Sequence, residues 1–265
     1  MDLGLKDHVA VVTGAAGGIG LATARAFAGE GASVSVWDIS ENAPSPVADL
    51  GERAVSFRVD VTDEAGVREA VRRTISAFGR IDHLVHAAAI GSGKFGFPFT
   101  NLSPGDWGRV LRVNVMGMVN VAHAVGPHMV ERRGGTMVFI ASVAGQMGSQ
   151  TDPPYSASKA ANINFAQCLA KDLAPHGVRV NTVCPGMVKT ALNRGVWQAW
   201  YDQQPPEKRL GYEEWAGEKI KKVVPLGEWQ TPEAVADMIV FLSSERAGHV
   251  TGQTINVDGG FVMHW

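Results

Sequence analysis

Val9-Ala10-Val11-Val12-Thr13-Gly14-Ala15-Ala16-Gly17-Gly18-Ile19-Gly20 is the stretch on which the fold turns. Its first four apolar residues, flanked by charge and glycine, read as a short buried strand. From Ile19 to Glu30 the spacing becomes helical, with Leu21, Ala24 and Ala28 on one side. The chain must therefore turn tightly between Thr13 and Ile19. Glycines there let the backbone approach a pyrophosphate, whose charge a helix N-terminus stabilises. The spacing Gly14-x-x-x-Gly18-x-Gly20 differs from the G-x-G-x-x-G dinucleotide fingerprint, so position carries the reading: a glycine-rich turn alone could be a plain loop, but this one follows a strand and opens a helix.

The same alternation continues outward. Strands are expected at Ser33 to Trp37, Val55 to Val59, Asp82 to His86, Thr136 to Ile140, Val178 to Val183 and Thr254 to Val257. Helices are expected from Asp63 to Phe78, around 106–132, from Tyr155 to about Leu173 and from Pro232 to Leu242, with a short helical stretch between Pro46 and Leu50. Strands alternating with helices imply βαβ units. The predicted fold is α/β: one doubly wound, Rossmann-type parallel sheet of about seven strands with helices on both faces. A single domain spans 1–265, with one irregular insertion at about 186–230.

Composition narrows the function classes. The 31 glycines in 265 residues exceed the usual share of roughly 7% without a collagen period. A net charge of −2, 19% charged and 45% apolar residues exclude disorder and a broad nucleic-acid footprint. No run approaches about 18 apolar residues, so no membrane span is expected. The N-terminus lacks the apolar core of a signal peptide. Cys168 and Cys184 make neither a disulfide framework nor a metal cage, and both read as small buried hydrophobes in a reducing cytoplasm. No metal site is expected.

The second strand ends in Asp38. A carboxylate there accepts hydrogen bonds from both adenosine ribose hydroxyls and repels a 2′-phosphate. No lysine or arginine stands at Ala15, Ala16 or Ile39 to neutralise that phosphate, so NAD is expected over NADP. The alternative is that Asp38 merely begins a turn with Ser40 and Asn42. Asp60, followed by Val61, either reaches the adenine edge or caps the backbone near Thr62.

Tyr155-Ser156-Ala157-Ser158-Lys159 opens the helix predicted after the fifth strand. Residues four apart share a helix face. An ammonium beside a phenol favours the phenolate, so Lys159 is expected to lower the Tyr155 pKa toward neutrality and make it a general acid/base.

These motifs together resemble the short-chain dehydrogenase/reductase family, in its compact single-domain branch. Thr13 to Gly20 matches the family's T-G-x-x-x-G-I-G turn, with Gly14, Gly17, Gly18, Ile19 and Gly20 at the cofactor. Tyr155 and Lys159 match its Y-x-x-x-K pair, Ser142 lies 13 residues before the tyrosine, and Asn114 matches the middle-helix asparagine. Pro185-Gly186 matches the turn after the sixth strand, and Thr251 to Gly260 the closing strand. The resemblance implies that Asn114, Ser142, Tyr155 and Lys159 are catalytic. Tyr155 moves the proton, Ser142 holds the substrate oxygen, Lys159 binds the nicotinamide ribose, and the Asn114 carbonyl holds a water. It also implies cofactor contacts at Ala87, Ala88, Val188 and Thr190. One departure stands out: His86-Ala87-Ala88-Ala89 replaces the family's N-N-A-G. His86 is read as a structural core histidine that needs another hydrogen bond.

Substrate contacts are expected from Ile90 to Thr100, from Gln146 to Pro154 and from the insertion with Trp197, Trp200, Tyr201 and Trp215. Gln146 and Trp197 are the candidate substrate residues beside Ser142 and Tyr155. The insertion reads as a mobile aromatic lid, or else its tryptophans pack it onto the body or a neighbouring subunit. Lys94 reads as a solvated surface lysine. The expected activity is NAD-dependent hydride transfer between a secondary alcohol or polyol and its ketone. The alternatives are an NADP-linked reductase of carrier-bound ketones and a non-catalytic dinucleotide sensor. The partner is a small molecule. A homotetramer is the family expectation, with the apolar tail Phe261 to Trp265 at a subunit contact.

Overall fold

The computed structural model describes residues 2–41, 48–149 and 151–263. Asn42, Pro44 and Pro46 therefore lie outside the described residues, as do Gln150, His264 and Trp265. Seven parallel strands form one sheet in the order β3-β2-β1-β4-β5-β6-β7. They are β1 (Val9–Thr13), β2 (Ser33–Asp38), β3 (Ala54–Arg58), β4 (His83–His86), β5 (Gly135–Ile140), β6 (Val178–Pro185) and β7 (Thr254–Val257). All seven stand where the hydrophobic runs place them, within two residues at either end. Strand order reverses between β1 and β4, which opens a crevice at the carboxyl ends of the strands.

Period-two alternation sorts the strand side chains into two cores. Val11, Trp37, Leu84 and Phe139 point to one face, with Val67 and Val71 of α2 (Glu64–Phe78) and Ala166 of a long helix described below. Ala10, Val12, Val36 and Val85 point to the other, against Phe27 of α1 (Gly18–Gly29) and Ile239 near the C-terminus. Both faces are covered, so the strands read as continuous apolar runs.

The long helix expected at 106–132 is three pieces. Between α3 (Pro104–Leu111) and α4 (Gly117–Arg132) the backbone widens into a π-helical turn over Arg112–Met116. Such turns gather at functional sites, and this one carries the buried Asn114. The helix that follows β5 is α5 (Pro153–Leu173). The segment 186–230 holds α6 (Ala191–Asp202) and α7 (Tyr212–Val223), and α8 (Pro232–Ser243) precedes β7.

Cys184 is buried as expected, but Cys168 is exposed. It sits on α5 two residues beyond the buried Ala166, and that 200° step carries its side chain to the outer surface. Among the described residues, no helix is long and apolar enough to cross a membrane.

Candidate active site

The turn after β1 is built by contacts that only glycine permits. Gly14 has φ +66° and donates to the Trp37 carbonyl at 2.8 Å, and a Cβ on it would lie 2.7 Å from the Ala88 backbone nitrogen. A Cβ on Gly20 would lie 2.3 Å from the Gly14 carbonyl oxygen. Gly17 differs: it caps α1 with no side-chain hydrogen bond, and a Cβ there would meet nothing within 4 Å. No acidic residue occupies the first turn of α1. An open, uncapped, unopposed helix N-terminus fits a dinucleotide pyrophosphate. The root of α6 approaches the same place, with the Thr190 methyl 3.4 Å from a Cβ built on Gly18. Arg25, Lys189, Arg194, Glu213 and Glu233 line the adjoining cavity of about 460 Å³, a rim of mixed charge in which Lys189 pairs with Glu213 at 2.8 Å.

Asp38, at the end of β2, bonds back to the glycine turn. Its Oδ2 accepts from the Ala16 amide and its Oδ1 from the Ser40 amide, both at 2.9 Å. The turn reading is thus present too, yet each carboxylate oxygen keeps acceptor capacity for a ribose. Asp60 takes the capping alternative: its Oδ1 accepts from the Thr62 amide and hydroxyl, both at 2.8 Å. Val61 is buried, with its carbonyl accepting from Asn120 at 2.9 Å.

The Thr13 hydroxyl organises the floor between β1 and β4. It accepts from the Ala87 and Ala88 amides, both at 3.2 Å, and lies 3.0 Å from His86 Nδ1. Two incoming donors leave the hydroxyl proton for Nδ1, so the His86 proton sits on Nε2. Burial holds His86 neutral, with a pKa lowered to about 3, and the charge of Lys159 adds to that effect. Thr13 supplies the hydrogen bond for Nδ1 only, and Nε2 is buried without a partner among the described residues.

Three of the four chemical residues converge at the mouth of β5 and β6. The Ser142 hydroxyl, which accepts from the Ala144 amide at 3.1 Å, lies beside the Tyr155 phenol and works to lower its pKa. Lys159 Nζ lies 5.5 Å from the Tyr155 ring centroid and donates to the Ile140 carbonyl at 2.6 Å. The spacing predicts a phenol lowered by its lysine, whereas the phenol stands above its ordinary value. Burial away from water is the largest cause, and it outweighs the Ser142 hydroxyl, while the negative forms of Asp152 and Cys184 add to the rise. The same burial lowers Lys159 to about 8.

Asn114 acts one step back. Its amide nitrogen donates to the Ile90 carbonyl and to Ser158 Oγ, both at 2.9 Å, and its Oδ1 accepts from the Ile90 amide at 2.8 Å. Its own carbonyl accepts from Asn162 Nδ2 at 2.8 Å, a partner absent from the sequence reading.

A family model described as enoyl-(acyl carrier protein) reductase matches residues 14–262. The chain is 37% identical to the 3-oxoacyl-[acyl-carrier-protein] reductase of Thermotoga maritima over 98% of its length and 99% of that protein's. It belongs to the short-chain dehydrogenase/reductase family. Identity is also 37% to the galactitol 2-dehydrogenase of Agrobacterium fabrum, over 97% of this chain and 98% of that one. A crystal structure from Brucella melitensis, titled short-chain dehydrogenase/reductase, glucose/ribitol dehydrogenase, superposes with a TM-score of 0.86 at 29% identity, covering both chains fully.

Within this short-chain dehydrogenase/reductase the remaining expected residues divide. Pro185 and Gly186 hold the turn after β6, with the Gly186 amide donating to the Val257 carbonyl at 3.1 Å. Val188 bridges Gln230, whose Oε1 also accepts from the Met187 amide at 2.7 Å. Thr190 caps α6. Gln146 is tied elsewhere: its amide pairs both ways with that of Asn256, at 2.7 and 3.0 Å. Trp197 donates to the Leu210 carbonyl at 3.1 Å and packs against Tyr201 and Tyr212. Neither bonds to Ser142, Tyr155 or Lys159. Tyr212 also contacts Trp215 and Trp229, so the aromatics of 186–230 pack largely on one another. Lys94 is exposed, as expected, and pairs with Asp106 at 2.9 Å.

Proposed function

We propose that this chain is an NAD-dependent oxidoreductase acting between a secondary alcohol or polyol and the matching ketone. Hydride exchange is what a bound nicotinamide supplies. The residues do the rest. Gly14, Gly17, Gly18, Ile19 and Gly20 receive the pyrophosphate, Asp38 the ribose, and Val61, Ala87 and Ala88 flank the adenosine side. Pro185, Gly186, Val188 and Thr190 fix the carboxamide end. Ser142 holds the substrate oxygen and Tyr155 exchanges its proton. Lys159, still a cation at neutral pH with its pKa near 8, steadies the phenolate. Segment 186–230 closes over the substrate as a lid, with Gln146 and Trp197 at its border. The working assembly is a homotetramer.

The observation that carries the NAD reading is the Asp38 carboxylate, 2.9 Å from the Ala16 amide at the mouth of the glycine turn. Measuring kcat/KM with both cofactors tests it. Wild type is expected to favour NAD, and Asp38→Asn to reduce the NAD/NADP ratio by about 10–100-fold, since juxtaposed like charges cost several kcal/mol. A wild-type preference for NADP would overturn the cofactor assignment.

The alternative is an NADP-linked reductase of carrier-bound ketones. It is favoured by the family model's description and by the Thermotoga relative's name, and opposed by Asp38. Galactitol 2-dehydrogenase, equally similar, favours the polyol reading.

A further inference from the structure

Asp152 precedes Tyr155 by three residues, and nothing in the residue types around it marks it out. The residue is only 7% exposed. One oxygen, Oδ2, accepts from the Ser92 amide at 2.7 Å, and Oδ1 accepts from the Tyr155 amide at 3.4 Å as the cap of α5. The Ile90–Thr100 loop must come close to make the first bond: a Cβ on Gly91 would stand 2.9 Å from Oδ2. A neighbouring backbone bond, from the Gly96 amide to the Thr151 carbonyl at 2.8 Å, fastens the same two segments. Asn114 holds the start of that loop at Ile90, so the loop is pinned at both ends of Ile90–Ser92.

We infer that Asp152 is a positioning residue: it docks the loop after β4 onto the first turn of α5 and sets the electrostatic field at Tyr155. The inference rests on the reading of Tyr155 as acid/base. The groups facing the phenol are few. Asp152 and Lys159 come from its own helix, Cys184 from β6, and the neutral Ser142 hydroxyl from the end of β5. Around Asp152 the donors are the Ser92 and Tyr155 amides. The loop's single cation, Lys94, is turned away into its pair with Asp106. The Asp152 charge is therefore held by amide dipoles and a helix N-terminus, not by a neutralising cation. Uncancelled, it disfavours a second anion beside it and pushes the Tyr155 phenol up. The result keeps the phenol protonated, the form that delivers a proton to a ketone, and raises the pH at which it can accept one from an alcohol.

Asparagine removes the charge and keeps one acceptor oxygen, enough for one of the two amide bonds, while its NH2 group would face the other N–H. In Asp152→Asn the acid limb of kcat/KM for alcohol oxidation is expected to move down by about half to one pH unit, with a smaller fall in melting temperature than in Asp152→Ala. Asp152→Ala loses cap and loop tie together, so melting temperature falls and KM rises, with the same pH displacement. Asp152→Glu keeps the charge and is expected to keep the wild-type limb while raising KM. A limb in Asp152→Asn that coincides with wild type, or moves up, overturns the inference while leaving the Tyr155 assignment intact. Full activity of Tyr155→Phe overturns that assignment instead.

Discussion

Tyr155→Phe is expected to lose about 10²–10⁴-fold in kcat/KM, the range general acid/base catalysis supplies, while binding NAD nearly as well as wild type. The substitution removes one oxygen from a ring held by α5 and leaves the packing in place. What disappears is the hydroxyl that lies beside Ser142 at the mouth of β5, on the ring that stands 5.5 Å from Lys159 Nζ. Because burial has already raised this phenol, losing it removes a group protonated at neutral pH and suited to carbonyl reduction. The defect should therefore appear in both directions of the reaction. Initial rates with cofactor binding measured in parallel check this, and a loss smaller than about tenfold would remove Tyr155 from the chemistry.

The second large effect separates the two kinds of glycine in the turn after β1. Gly20→Ala places a methyl 2.3 Å from the Gly14 carbonyl oxygen and 2.9 Å from the Ala15 Cα. These are backbone atoms that cannot rotate aside, so the turn itself must shift. Overpacking of this kind costs about 1–3 kcal/mol, which in a chain of this size lowers the melting temperature by several degrees. Cofactor affinity is expected to fall with it. Gly17→Ala should behave otherwise, since its φ of −173° is extended backbone and its Cβ meets nothing within 4 Å. It should melt as wild type and still bind NAD more weakly, because the methyl enters the space where the pyrophosphate is proposed to sit. Thermal melts and cofactor titrations of both variants distinguish fold from cradle. Wild-type affinity in Gly17→Ala would place the pyrophosphate elsewhere.

Much of this architecture is legible locally. The apolar run Val9 to Val12, the glycines after it and the helical spacing from Ile19 fall within about twenty residues, and strand periodicity does not depend on tertiary partners. Tyr155 and Lys159 are four apart on one helix and share a face without further information. What escapes the reading is set at long range. The π-turn at Arg112–Met116 cannot be told from α-helix by hydrophobic spacing over five residues. Asp152 matters through Ser92, sixty residues earlier, and Asn162 through Asn114. The direction of the Tyr155 shift escapes the reading for the same reason: a lysine one helical turn away shows in the sequence, but the desolvation that raises the phenol does not. Cys168 faces out because helical phase, not hydrophobicity, decides its side. Gln146 and Trp197 lie on the stretches expected to border substrate, but their partners, Asn256 and the aromatic cluster, come from other elements.

Initial-rate measurement across a panel of secondary alcohols and polyols, with NAD and NADP supplied separately, tests the central claim most directly. The expected result is reduction of NAD by at least one member of the panel, faster than reduction of NADP and dependent on Tyr155. Protein that binds NAD yet reduces neither cofactor with any of them, in either direction, would contradict it.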